Sequence, residues 1–526
     1  MIEALQNKLP GSVLLFTALA LGITYQISVW IYNIYFHPLA KVPGPKLWAA
    51  SRVFHELSMG RGRLHKDILA LHEKYGDAVR VAPTYVSFIH PDAWNPIMNR
   101  KPGQPMLQRD RLRLSDSCRV NGAPEILTAD DATHSRHRRM LAHAFSDRAL
   151  KQDHQPLIQS NVDLLMKQLR RRIDENAGNK KGVDLGNWLN LATFDIIGDL
   201  VFGETFNCLE KGDYHPWVKA MSDSVEAVTI LSSIKQFPLL DWVTQLFIGG
   251  WMNRAIRDHH SLTIDKVNRR LDRKSDRGDF FTQIMKHNGT EREMSRDELM
   301  SNSMVLIPAG SETSSAGMAS CIYHLLKTPT AYYKLTKEVR SMFQAEKDIT
   351  FERVANFPYL EACINEALRM YPPVPIFNAR VVVNPGGQQI LDTYLPDGST
   401  VGIHHWPAYQ STRNFRDPHI FKPSRWLGDP LYTDDRREVL RPFSVGPRNC
   451  LGKHLALSEI RVVVTRLLFN FDMELSPESD NWPDQEAYLT WARKPMWIGA
   501  WAGEQPFSKC KARQGDVQEK EEHGVW

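Results

Sequence analysis

Phe443-Ser444-Val445-Gly446-Pro447-Arg448-Asn449-Cys450-Leu451-Gly452 is the stretch on which the reading of this chain turns. A cysteine follows a Gly-Pro turn. Apolar residues at 460, 463, 464, 467 and 468 then mark an amphipathic helix just beyond it. A helix N-terminus offers unpaired N–H groups and a partial positive charge, both of which favour thiolate over thiol. Arg448 adds a cation nearby. Such a thiolate suits metal ligation or nucleophilic catalysis; the alternative is a buried, inert cysteine. The remaining cysteines, Cys118, Cys208, Cys321, Cys363 and Cys510, form no C-x-x-C or other zinc spacing. Six cysteines in 526 residues are too sparse for a disulfide scaffold and fit a reducing compartment.

Composition sets the class. Apolar residues make up 42% of the chain, ordinary for a globular protein and too many for a disordered one. Lys and Arg number 65 against 60 Asp and Glu, a net charge of +5 that calls for no nucleic-acid partner.

From Leu9 to Phe36 the chain carries no Asp, Glu, Lys or Arg, long enough for a tilted membrane span. Trp30, Tyr32 and Tyr35 cluster at its far end, as an interfacial belt does. A cleaved signal peptide is the alternative, with Ala18-Leu19-Ala20 as a cleavage site. The apolar run outlasts the usual core of about 7–15 residues, which favours a retained anchor. Lys41, Lys46, Arg52, Arg61 and Arg63 follow the span, so the positive-inside bias places the body in the cytosol. The expected organisation is a short lumenal segment at 1–11 and an anchor at 12–36. A globular body follows at 37–501, with a stiff Pro43-Gly44-Pro45 hinge, and a polar, disordered tail at 502–526. A mean hydropathy of −0.37 leaves no second span.

Helical periodicity dominates the body. Ser295 and Glu298 form a capping box ahead of a long apolar segment reaching Leu326, with a polar interruption at Ala309–Ser314. Pro308 inside it removes an amide donor and distorts the helix next to that interruption. A second helix spans about Tyr359 to Tyr371 and stops at Pro372-Pro373. Short strands are expected at Val381–Val383 and Thr400–Ile403, after turns at Pro385-Gly386-Gly387 and Pro396-Asp397-Gly398. The fold class is therefore mainly α with a small β region, a single domain behind a transmembrane helix.

The run F-x-x-G-x-R-x-C-x-G resembles, at every fixed position, the haem-binding loop of the cytochrome P450 family. The resemblance implies that Cys450 is the axial thiolate ligand of haem iron, with Phe443 beside the sulfur and Arg448 on a propionate. Glu366 and Arg369, three apart on one helix face, resemble the family's E-x-x-R. With Arg425 of Phe421-Lys422-Pro423-Ser424-Arg425-Trp426 they imply a buried structural network. His134 and Arg138 stand where the family often has W-x-x-x-R, and Arg380 stands where it has a further arginine. All three are implied propionate ligands, with His134 a departure that retains a donor; the bland reading of His134–Arg139 is a basic solvated face. Ala309–Ser314 is similar to the family's A/G-G-x-D/E-T-T/S. Glu312 and Thr313 are thus implied to relay protons to bound dioxygen; the alternative is a polar stripe bonding back to helix carbonyls.

The similarity covers about His37 to Phe471. Asn33–Leu39 ahead of the hinge looks like membrane-anchored filamentous-fungal members, many of them in secondary-metabolite biosynthesis. It implies haem b, dioxygen, a lipophilic small-molecule substrate and the endoplasmic reticulum membrane, the catalytic domain facing the cytosol. Too few residues follow Cys450 for a flavin domain, so electrons are expected from NADPH through a separate cytochrome P450 reductase. Val305, Ala309, Val374 and Ile376 are expected along the substrate pocket. The expected activity is monooxygenation. A haem-thiolate isomerase or dehydratase, or a non-catalytic haem sensor, is the alternative; the Glu312-Thr313 pair disfavours the isomerase.

Overall fold

The computed structural model describes residues 11–99, 105–110, 118–175, 182–273, 277–285, 293–376 and 379–503. The expected N-terminal segment up to residue 10 and the tail beyond 503 lie outside the described residues.

The helix Arg296–Lys327 runs through the centre. Its start is as the sequence predicts: Glu298 N–H donates to Ser295 Oγ (3.2 Å), and Ser295 N–H donates to the Glu298 carboxylate (2.8 Å). Pro308 leaves the Met304 carbonyl without its intrahelical donor, yet the helix continues through it. Three helices surround this axis: Leu185–Phe202, Pro358–Met370 and Lys453–Asn470. Two glycines set the spacing. A Cβ on Gly310 would come within 2.7 Å of Ile197, and one on Gly317 within 3.0 Å of Ile460. Both therefore mark close helix approaches that a larger residue would push apart.

The β region is small. Strands Ala78–Ala82, Tyr85–Phe88, Thr400–Ile403, Arg380–Val381 and Gln108–Arg109 lie side by side in that order. Only the Tyr85–Phe88/Thr400–Ile403 pair is parallel. The register sets Arg109 directly opposite Arg380.

At the N-terminus a helix spans Gly11–Tyr35. Its segment Ser12–Tyr35 has a mean hydropathy of 1.7 over its most apolar stretch, none of it buried against the body. Long enough to cross a bilayer, it joins the body through Asn33 Nδ2, which donates to Ala50 O (2.9 Å), and Arg80 Nη1, which donates to Asn33 O (2.8 Å). The hinge is docked rather than loose: Arg80 N–H donates to Pro43 O (2.7 Å), and any Cβ on Gly44 would collide with the Arg80 carbonyl.

Glu366, Arg369 and Arg425 are fully buried together. Arg369 donates to both Glu366 oxygens (2.9 Å each) and through Nη1 to the carbonyls of Tyr409 (2.9 Å) and Pro418 (2.7 Å). Arg425 Nε donates to Glu366 (3.4 Å) and its Nη1 to Asp435. Lys422 N–H (3.0 Å) and Trp426 Nε1 (2.9 Å) complete the shell of Glu366. Burial alone would raise the Glu366 pKa. The two guanidiniums and these hydrogen bonds instead hold it below the ordinary carboxylate range.

Glu366→Gln removes the charge while two guanidiniums stay buried, so it costs about 3–5 kcal/mol in denaturant unfolding at neutral pH. Because the folded-state pKa is depressed, the wild type loses this contribution as pH falls from the ordinary Glu value through the lower folded one. The stability gap between the two proteins therefore narrows on acidification.

Candidate functional site

Cys450 lies two residues ahead of the Gly452 cap of the helix Lys453–Asn470. Its N–H donates to Phe443 O (2.8 Å), which closes the loop into a tight arch with Ser444 (φ 59°) and Gly446 (φ 83°) in left-handed backbone. A Cβ on Gly446 would strike the Met98 carbonyl, so the arch requires glycine there. Phe443 is half-buried against the main core. Arg138 Nη1 donates to Asn449 O (2.7 Å) and Nη2 to Asn449 Oδ1, which clamps the residue preceding the cysteine.

Cys450 is exposed as a residue, between half-buried Asn449 and Leu451, while its thiol sits at the inner side of the arch. Burial pushes the thiol pKa up, opposed by the Gly452 N–H, Arg138 and Lys453. This qualifies the expectation from sequence. The helix terminus alone does not make a free thiolate here, and a bound metal ion would have to displace the proton.

On the central helix, Ala309 is exposed and Leu306, Thr313 and Ala316 are partly so. Their 3-4-3 spacing, with Pro308 and Gly310 beside Ala309 also partly exposed, makes one accessible strip along the middle of a largely buried helix. Thr313 Oγ1 donates back to Ala309 O (2.7 Å). Glu312 is buried and turned elsewhere: it accepts from Ser222 Oγ (2.8 Å) and pairs with Arg493 Nη1 (3.1 Å). The acid and the alcohol are therefore neighbours in sequence that face different surroundings. Of the other expected pocket residues, Val374 is half-buried. Val305 is packed in the main core and Ile376 in a small cluster with Leu64, Ile68 and Tyr85.

Cations crowd the flank of this site. Arg380 and Arg448 are buried, and the strand register brings Arg109 beside Arg380. Arg448 Nη2 donates to Ala129 O (2.9 Å) and Asp131 Oδ1 (2.8 Å), whereas its buried Nη1 has no hydrogen-bond acceptor. Burial, then mutual repulsion, lowers the Arg109 pKa to about 10 and the Arg380 pKa to about 9. His134, one turn before Arg138, is driven down to about 3 by burial and then by Arg448, Arg138 and Arg109, so its ring is neutral.

Arg109 had no signal in the sequence: its strand is two residues long, and its place comes only from pairing with Arg380–Val381. Cations buried together beside an exposed cysteine call for a multiply charged anion. The two carboxylates of haem fit that demand, as the sulfur fits its iron. Cys450, Arg448, Arg380, Arg138 and His134 are thus gathered at one place.

Comparison with known proteins agrees with this geometry. Residues 42–498 match the Cytochrome P450 family. The averantin hydroxylase of Dothistroma septosporum is 40% identical over 480 residues, covering 90% of this chain and 89% of that protein. Cytochrome P450 monooxygenase astA of Talaromyces wortmannii is 38% identical over 489 residues, 92% of this chain and 97% of its own. The corresponding lcsI enzyme of Purpureocillium lilacinum is 39% identical over 484 residues, 91% and 93% respectively.

Arg380→Gln and Arg109→Gln each delete one buried charge-assisted donor, worth about 1.5–3 kcal/mol. Each variant should release haem to a competing acceptor protein roughly 10- to 100-fold faster than wild type, followed by the Soret band.

Proposed function

Since this chain belongs to the cytochrome P450 family and carries its cysteine loop intact, we propose that Cys450 ligates haem iron in a monooxygenase acting on a lipophilic small molecule of fungal secondary metabolism. The observation that carries the residue assignments is the convergence of an exposed cysteine, an accessible strip of the central helix and a buried cluster of arginines. Arg109, Arg380 and Arg448, with Arg138 and His134, bind and orient the haem carboxylates. Bound haem supplies dioxygen activation at iron. Ala309, Thr313 and Ala316 keep the distal wall low, so that a flat cofactor and a substrate can approach the helix, and Val374 lines the substrate's side. Glu312 supplies protons through the Thr313 hydroxyl, which must leave the Ala309 carbonyl to do so. Electrons come from NADPH through a separate reductase. Hydroxylation is the reaction proposed, by similarity to the averantin hydroxylases.

The helix Gly11–Tyr35 anchors the protein in the endoplasmic reticulum membrane with the body in the cytosol. Leu239, Leu240, Trp242, Leu246 and Phe247 are exposed on the helix Pro238–Asp272. That helix begins just after Gln236, which is held by Arg52 of the post-anchor segment. This apolar patch touches the same bilayer.

The reduced-plus-CO difference spectrum tests the assignment. Wild type should give a strongly red-shifted Soret band that Cys450→Ser abolishes; haem uptake without that band in wild type would refute the thiolate ligand. The membrane reading is checked by vesicle flotation. A chain lacking residues 1–36 should still float in part, and the further changes Trp242→Ser and Phe247→Ser should leave it soluble.

A further inference from the structure

The loop Pro372–Ile376 leads from the helix Pro358–Met370 toward the strand Arg380–Val381. Pro372, Pro373 and Pro375 have no N–H to give to a helix or a ladder, so the loop's path depends on what its carbonyls accept. Four of these five carbonyls are held by named donors. Pro372 O accepts from Trp491 Nε1 (2.8 Å) and Val374 O from His405 Nδ1 (2.9 Å). Pro375 O accepts from the Trp406 N–H (3.0 Å) and Ile376 O from His404 Nδ1 (3.0 Å). Three of the donors are thus consecutive residues at the start of the short helix His405–Gln410. The ring of His65 meets both Trp406 (4.9 Å) and Trp491 (5.1 Å) edge-on, which joins the fourth donor to the same support.

A carbonyl oxygen only accepts, so each histidine carries a hydrogen on Nδ1. Tyr85 O–H donates to His404 Nε2 (3.0 Å), which selects that tautomer. His405 stacks on Tyr409 (5.5 Å) and lies against Trp94 (5.6 Å). Burial pushes the His405 pKa down to about 4 against the Val374 bond, which raises it, so the ring is neutral. Both side chains are buried, with their ring planes fixed by these neighbours. The same helix also reaches the cysteine arch: Tyr409 Oη accepts from the Arg441 N–H (2.9 Å), two residues before Phe443. Within the loop, Pro372, Pro375 and Ile376 are buried, whereas Pro373 and Val374 are only half-buried.

We propose that His404 and His405 are positioning residues for substrate selection, whose ring N–H groups hold the loop from behind so that Pro373 and Val374 form a preset apolar wall. Neither ring touches the substrate. A loop without internal hydrogen bonds would otherwise have to be ordered each time a ligand binds, and that ordering weakens binding. Two flat rings, each locked by packing and donating to a neighbouring carbonyl, remove that cost before the ligand arrives. Shared support by the helix His405–Gln410 also keeps the wall in register with the arch that carries Cys450.

This inference rests on the proposed place of Val374 beside the substrate, and the experiment separates the two. Imidazole and 4-phenylimidazole, which both bind haem iron through nitrogen, are titrated into the haem-loaded full-length protein and followed by the Soret shift. Only the phenyl ring of the second reaches beyond the iron. His405→Phe keeps a ring on Tyr409 without the donor; it should weaken 4-phenylimidazole roughly 3- to 10-fold and leave imidazole within about twofold of wild type. His405→Asn, whose amide N–H stands in for Nδ1–H, should restore most of that affinity. His404→Phe is read in the same way and serves alone if the variant at 405 does not load haem. Val374→Ala should weaken 4-phenylimidazole by a similar factor. If Val374→Ala has its effect while the Phe variants bind 4-phenylimidazole like wild type, the histidines do not set the wall. An equal loss for imidazole, or a His405→Asn protein behaving like His405→Phe, also overturns their role. If instead Val374→Ala leaves 4-phenylimidazole binding unchanged, the place of Val374 beside the substrate fails first, and the wall with it.

Discussion

The Glu366 carboxylate, buried with Arg369 and Arg425, ties the helix Pro358–Met370 to the irregular chain between 409 and 437. That chain has almost no regular structure, so a β ladder or helix cannot fix its path. Backbone carbonyls of Tyr409, Arg416, Pro418 and Ile420 end instead on the two guanidiniums. Arg437 Nη1 in turn donates to Arg425 O (3.0 Å). The segment leads directly into the arch at Phe443–Cys450, so the sulfur's position is set by electrostatics several turns upstream. A buried charge network of this kind adds little net stability against an apolar core, but it admits few alternative paths.

The site itself is built from opposite polarities on its two flanks. On one flank, burial and then the neighbouring arginines lower the pKa values of Arg109, Arg380 and His134, which marks a local excess of positive charge. That excess is the mark of a place made for an anion larger than Asp131, whose side chain is largely exposed. On the other, the accessible strip formed by Leu306, Ala309, Thr313 and Ala316 is apolar apart from Thr313, which turns its hydroxyl back to the helix. The resulting wall is apolar where a substrate would lie and cationic where carboxylates would lie.

Much of this was legible in the sequence because it rests on local spacing. The capping box at Ser295–Glu298, the strand Thr400–Ile403, the helix after Cys450 and the Glu366–Arg369 pair all follow from residues within one or two turns of each other. The long apolar helix expected at 12–36 spans Gly11–Tyr35. What stayed hidden depends on contacts between distant segments. Arg109 is placed by a strand pair with Arg380, Asp435 by its ion pair with Arg425, and Arg493 by a contact with Glu312 across nearly two hundred residues. Ile376 is expected along the pocket by family position, and the fold packs it in a small cluster with Leu64, Ile68 and Tyr85.

The central helix shows why its own pattern was hard to read. A helix buried on one face carries an apolar stripe, but the middle of this one is packed on nearly every side and is accessible mainly around Leu306, Pro308, Ala309, Gly310, Thr313 and Ala316. Its polar residues therefore do not mark solvent. Ser303 and Ser311 donate to the carbonyls of Leu299 and Ile307, Ser320 donates to Ala367 O, and Glu312 faces Arg493. The three serines are small enough for close packing, and Glu312 finds its partners on neighbouring elements. Pro308 sits one residue before the exposed Ala309. The donor it lacks leaves a carbonyl unpaired within the helix just before the accessible strip begins. The local weakness of the helix ladder and its accessible face thus coincide, next to the Thr313 hydroxyl that the proposed relay would need to change partner.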